Sequence, residues 1–231
     1  MITVLLADDH ALIRKGFRLI LDAEPDIEVA GEASDGKVAV SMTAALRPDV
    51  VLMDVRMPGC DGIEATREIA AAGLPSKVLI LTTFDLDDYV YAGLRAGASG
   101  FLLKDTQPND LVAAIRTIAS GDSVLAPGAT GRLIRKFTAQ QAAQPSGQRA
   151  EQIRHALTGR ELDVFSLIAA GMSNSEIAAR LHLSAGTVKI HVGRILAKLG
   201  LRDRIQAVVL AYESALITPR AHPPDQPTQS H

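Results

Sequence analysis

Four apolar runs in this 231-residue chain end on side chains that can handle charge: "LLADDH" on Asp8 and Asp9, "VVLMD" on Asp54, "LILT" on Thr82 and "FLLK" on Lys104. An ionised aspartate at the end of a buried strand is expensive unless something cationic meets it. Three carboxylates brought together repel one another, and a hard divalent cation held by oxygen ligands and water, Mg²⁺ (or Mn²⁺), is the usual remedy. The Lys104 ammonium adds a second positive partner. With both in place, a phosphoryl group arriving at Asp54 finds its oxygens neutralised, and Thr82 can donate its hydroxyl to one of them. Taken singly, an Asp pair is often only a helix cap, and a threonine or lysine at a strand end is mostly a solvated edge. Their joint placement at four strand ends points to a phosphoryl acceptor.

The elements that must position these residues are legible. "ITVLLA", "IEVAGEA", "DVVLMDV", "KVLILTT" and "GFLLK" alternate with helical patterns from Leu12 to Ala23, Lys37 to Ala45, Gly62 to Ala71, Asp87 to Ala96 and about Gln107 to Ser120. Five βα units predict an α/β flavodoxin-like domain over residues 1–120: a five-stranded parallel sheet, order 2-1-3-4-5, covered on both faces. Any ligand site then lies at the carboxyl ends of the strands. Residues 121–152 are small, polar and rich in breakers, and read as a linker in which "GRLIRKF" could form a short helix. Residues 153–217 restore helical spacing and predict a small all-α domain of four helices. Thr158 with Glu161 and Ser173 with Glu176 form capping boxes, Gly171 and Gly200 are stops, and Asp203 opens the last helix. The proline-rich residues 218–231 read as a disordered tail.

Net charge separates the two halves. Residues 1–120 carry 11 Lys/Arg and 18 Asp/Glu, a net of −7, whereas the remainder carries 13 and 8, a net of +5. An acidic domain joined to a basic one suggests that the second half meets nucleic acid. No apolar stretch approaches the roughly 18 residues of a membrane span, and the N-terminus turns acidic before a signal-like region forms, so a cytoplasmic protein with no membrane partner is expected. The single cysteine, Cys60, excludes an internal disulfide framework and a zinc site, and reads as a small loop residue.

"LLADDH", "VVLMDVRMPGCDGIEA", "LILTTF" and "GASGFLLKD" together resemble the receiver domain of bacterial two-component response regulators, over essentially all of residues 1–120. The resemblance implies Asp54 as the phosphorylated residue, Asp9 as a direct Mg²⁺ ligand, Asp8 acting largely through water, and the backbone carbonyl of Arg56 completing the metal shell. It implies that Lys104 binds a phosphoryl oxygen and that Thr82 and Phe101 form a switch pair. Arg56 and Phe84 occupy positions that tune acyl phosphate lifetime in that family. Pro58 and Gly62 shape the loop after the acceptor, where turn chemistry explains them equally well. Many receivers follow the lysine with a cis proline; Asp105 stands there instead, and a non-proline cis bond is costly.

In the basic half, "SNSEIAARL" and "SAGTVKIHVGRILAKL" fit a helix-turn-helix whose second helix enters the major groove. Thr187, Lys189, Ile190, Arg194 and Lys198 fall on or near one side, with Val188, His191, Ile195 and Leu199 inward. The stretch closely resembles the LuxR-type helix-turn-helix over about residues 153–216, and the whole chain resembles the NarL/FixJ subfamily of response regulators. That resemblance implies Lys189 and Ile190 reaching toward the groove, Ser184 and Thr187 contacting phosphate, and Arg194 and Lys198 holding the backbone. Gly193 stands where several relatives carry a DNA-contacting lysine, and His191 reads as a packing residue. The expected function is a DNA-binding transcriptional regulator, not a turnover enzyme, with a sensor histidine kinase, promoter DNA and, on phosphorylation, a second copy as partners. An aspartyl-phosphate hydrolase would want a second acid two residues after Asp54, where Arg56 stands. A small-molecule sensor would want a ligand cavity in the first half. DNA binding regardless of phosphorylation is the third alternative.

Overall fold

The computed structural model describes residues 1–83, 87–121, 124–125, 147–214 and 216. Its first half alternates β1 (Ile2–Ala7), α1 (Ala11–Asp22), β2 (Ile27–Ala33), α2 (Gly36–Leu46), β3 (Val50–Asp54), α3 (Gly62–Ala71), β4 (Lys77–Thr82), α4 (Asp87–Ala96), β5 (Gly100–Leu103) and α5 (Pro108–Ala119). All strand pairs are parallel, and the order is β2-β1-β3-β4-β5 with a short β6 (Val124–Leu125) added beside β5. The expected five-stranded order is therefore present, with a two-residue sixth strand at its edge. "GRLIRKF", Phe84 and the tail from residue 218 lie outside the described residues.

Side-chain alternation divides the sheet between two cores. Leu5, Val51, Met53, Ile80 and Phe101 pack on one face with Ala39, Ile63, Ile69 and Leu94 of α2, α3 and α4. Val4, Leu6, Leu52, Leu79, Leu81 and Leu102 pack on the other with Leu21 of α1 and Leu111, Ile115 and Ile118 of α5. Burial on both sides is why these strands read as unbroken apolar runs. Asp35 caps α2 through the Val38 amide at 2.9 Å, and Asp61 caps α3 through the Glu64 amide at 2.7 Å.

The second half comprises α6 (Gly147–Ala156), α7 (Gly159–Ala169), α8 (Asn174–Leu181), α9 (Ala185–Leu199) and α10 (Arg204–Glu213). Both capping boxes form, Thr158 with Glu161 and Ser173 with Glu176. Gly200, at φ 65°, is the left-handed cap that ends α9. Helix α6 begins inside the segment expected to be linker. Its Ala150 and Ile153, with Leu157 just beyond, are buried in the helical core, so tertiary contact orders a stretch that composition reads as a connector.

The two halves touch. Ser99 donates to Asp203 Oδ2 at 2.7 Å, Lys77 Nζ to the Arg202 carbonyl at 2.6 Å, and Gln206 Nε2 to the Leu94 carbonyl at 2.9 Å. Arg202 Nη2 donates to the carbonyls of Leu74 and Ser76, each at 2.8 Å. Arg95 pairs with Glu213 at 3.0 Å. Helix α10 is accordingly buried at every position from Ala207 to Tyr212, packed on its own domain and on α4.

Candidate functional site

Register brings the charged residues to one edge of the sheet. Asp54 pairs with Leu81, Thr82 pairs with Leu103, and the Lys104 amide donates to the Thr82 carbonyl at 2.7 Å, so the ends of β3, β4 and β5 lie side by side. Lys104 Nζ lies 2.6 Å from Asp8 Oδ2 and 3.0 Å from Asp54 Oδ1. Both carboxylates are almost fully buried, at 3% and 7% exposure, and Thr82 is buried beside them. Burial pushes the Asp54 carboxyl above its ordinary range; the Lys104 ammonium and a hydrogen bond from the Arg56 backbone oppose that shift, and Asp8 adds to it. Phe101 is fully buried two positions before the end of β5. The Lys104–Asp105 bond is trans.

Asp9 lies further out. It pairs with His10 Nδ1 at 2.7 Å, and Asp8, Asp9 and His10 each offer an atom within 4.8 Å of the others. These donors are oxygens with one imidazole. Asp8 and Asp54 meet through Lys104 between them. Gly62 has no positive φ; its place is fixed by close approach, because a Cβ there would stand 1.9 Å from the Asp54 carbonyl oxygen. Turn chemistry is therefore not what this glycine supplies.

On α9, Lys189, Ile190 and Arg194 are exposed on the side away from the domain core, as expected. Ser184 caps the helix by accepting from the Thr187 amide at 3.0 Å, and the two hydroxyls lie 2.8 Å apart. Val188, Val192 and Ile195 are the buried positions, whereas His191 and Leu199 are half-buried, so Val192 belongs in the inward set and His191 sits at its margin. Lys198 is exposed too, and it has a partner within the domain. Its Nζ lies 2.6 Å from Glu161 Oε2, which ties the end of α9 to the start of α7.

Residues 4–116 match the response regulator receiver domain family, and residues 155–211 match the bacterial regulatory proteins of the luxR family. The uncharacterized transcriptional regulatory protein YxjL of Bacillus subtilis (strain 168) is 44% identical over 217 residues, covering 94% of this chain and 97% of its own. The transcriptional regulatory protein LiaR of the same organism is 42% identical, covering 94% and 100%. The crystal structure of the response regulator ChrA, of a heme-sensing two-component system, is 39% identical with a TM-score of 0.50, covering 94% and 98%. The chain belongs to the response regulators with a LuxR-type DNA-binding domain.

As a response regulator it carries the family's acidic pocket and, among the described residues, no helix long and apolar enough to cross a membrane. Two neighbours of that pocket are not singled out by sequence reading. His10 immediately follows the Asp pair, and adjacency alone could have flagged it. Arg14, one turn into α1, donates to the Asp8 carbonyl at 2.6 Å and to Glu32 at 3.3 Å, so it braces the strand end that presents Asp8. Its partner Glu32 lies 18 residues away on β2, and no local pattern announces that contact.

Proposed function

We propose that this response regulator accepts a phosphoryl group on Asp54 from a sensor histidine kinase and thereby controls promoter binding by α9. The observation that carries the reading is the Asp54 carboxylate held at a strand end, buried, with one oxygen on Lys104 at 3.0 Å. In the transfer, the N–P bond of the kinase phosphohistidine breaks as an O–P bond forms to Asp54, and the leaving imidazole keeps the bonding electrons. Lys104 and Thr82 donate to the phosphoryl oxygens, and Phe101 follows Thr82 as its switch partner. Water later cleaves the O–P bond, releasing inorganic phosphate and restoring the carboxylate.

Asp8, Asp9, Asp54 and the Arg56 carbonyl would hold Mg²⁺ (or Mn²⁺). The donor set is all oxygen, with Asp8 and Asp54 buried and Asp9 and Arg56 exposed, which suits a hard cation that keeps waters of its own. Such an ion supplies charge neutralisation at the phosphoryl group. Phosphorylation acts on the domain pair as a population shift, favouring whichever arrangement makes the better contacts with the modified site. Ser184, Thr187, Lys189, Ile190, Arg194 and Lys198 form the DNA-contacting set, with a homodimer on paired half-sites as the bound species. Lys198 takes part through the proton positions that Glu161 leaves free.

Radiolabelled acetyl phosphate tests the acceptor. The wild-type chain labels in the presence of Mg²⁺, and Asp54→Asn does not label and loses phosphate-stimulated DNA binding. Full labelling of the variant would place the acceptor elsewhere.

A further inference from the structure

Asp8 and Asp9 sit on the turn between β1 and α1, and that turn is lightly held for one that carries two carboxylates. Helix α1 starts at His10 with no side-chain cap and no acid in its first turn, unlike α2 and α3, which Asp35 and Asp61 cap. The tie inside the turn is the His10 amide on Asp8 Oδ1, at 2.8 Å. Asp8 also keeps Oδ2 on Lys104, at 2.6 Å. A small rotation of the turn would therefore move both carboxylates relative to Asp54.

Arg14 supplies the missing hold from outside the turn. Its Nη1 donates to the Asp8 carbonyl at 2.6 Å while its Nε donates to Glu32 Oε2 at 3.3 Å. Glu32 stands one position before the end of β2, beside Leu6 of β1, and its other oxygen takes Arg18 Nε at 2.6 Å. Arg14 and Arg18, four residues apart, lie on one side of α1, so a single carboxylate on β2 clamps both. Arg18 first, and Arg14 after it, hold the Glu32 carboxyl below its ordinary range against the opposing effect of burial, which keeps it ionised. A guanidinium serves a carbonyl and a carboxylate at once because its donors form a rigid planar fork, whereas an ammonium is a point charge on a flexible stem.

The structure assigns to Arg14 a positioning role for the divalent cation: locked by Glu32, it fixes the backbone of Asp8 and with it the placement of the acid pair. This rests on the metal-assisted phosphoryl transfer proposed above. Were Arg14 only a nearby charge, the expected sign would be the opposite. A cation beside an acidic pocket repels Mg²⁺, so its removal alone would tighten binding. Loss of an outer hold on a ligand instead weakens binding, by about ten-fold or more.

The test titrates the full chain with Mn²⁺ alone, a hard divalent cation that takes the same oxygen ligands, and reads the free ion by electron paramagnetic resonance. In Arg14→Met the dissociation constant rises about ten-fold, although the pocket has lost a positive neighbour. Arg14→Lys, which keeps the charge and loses the fork, gives an intermediate value. Glu32→Gln weakens binding as well, and combining it with Arg14→Met adds nothing further, because the two residues act in series. Labelling by acetyl phosphate shows the same shift in the Mg²⁺ concentration for half-maximal rate, and saturating Mg²⁺ restores most of that rate. Equal or tighter Mn²⁺ binding by Arg14→Met, with its far-UV circular dichroism unchanged, overturns the assignment and leaves the metal site standing. Wild-type affinity in Arg14→Lys overturns it too, whether or not Arg14→Met folds. If the wild-type chain binds no Mn²⁺, the metal reading of the pocket falls and takes this role with it.

Discussion

Ser99 and Asp203, 104 residues apart and both buried, meet at 2.7 Å across the boundary between the two halves of the chain. Asp203 uses its other oxygen to cap α10 through the Gln206 amide at 3.1 Å. One carboxylate thus starts a helix and fastens that helix to the receiver. The two roles separate by mutation. Ser99→Ala removes only the fastening, a hydrogen bond to a charged group contributing about 1.5–3 kcal/mol. The expected outcome is an intact far-UV circular dichroism spectrum with a larger radius of gyration in small-angle X-ray scattering. An unchanged radius would show that the remaining contacts, Arg202 on Leu74 and Ser76 among them, suffice to hold the halves together.

The Glu161–Lys198 pair gives a pH prediction. The Lys198 ammonium, helped by the Thr158 amide, holds the Glu161 carboxyl at about 2, against an ordinary value of 4.5. A carboxyl depressed on folding stabilises the folded state above its unfolded pKa, and that contribution is lost as pH falls from about 4.5 toward 2. Thermal melts of wild type followed at 222 nm should therefore lose stability faster across this window than those of Glu161→Gln. Equal slopes would mean that the pair is not formed in solution.

Gly62 predicts a steric effect at the acceptor. In Gly62→Ala the new Cβ would lie 1.9 Å from the Asp54 carbonyl oxygen and 2.9 Å from its carbon, both backbone atoms that cannot rotate away. Overpacking of this kind costs roughly 1–3 kcal/mol. The melting temperature should fall, and labelling by acetyl phosphate should slow in the fraction that remains folded. A variant that labels at the wild-type rate would show that the start of α3 moves without disturbing β3.

What the sequence makes legible follows from how local each signal is. Strands buried on both faces announce themselves as apolar runs, and their ends place Asp8, Asp54, Thr82 and Lys104 together because parallel strands share a direction. Capping boxes are equally local: Thr158, Ser173 and their glutamates lie three residues apart. Helix α6 is not legible in this way, since among its described side chains only Ala150 and Ile153 enter the core. The ion pair of Lys198 with Glu161 is not legible because the two lie 37 residues apart. Asp203 reads as a cap, which it is, while Ser99 offers no local hint of the bond between them.

Helix α10 has a further bearing on how this protein can be divided. Gln206 and Glu213, one heptad apart, both reach the receiver, through Leu94 and Arg95. The buried Val209 and Leu210 between them share that side by helical spacing. A C-terminal fragment without the receiver would lose the α4 side of this helix's packing and the partners of Gln206 and Glu213. The receiver thus acts as part of the wall around its neighbour's last helix, and a truncated C-terminal half is expected to be less stable than the same residues in the whole chain.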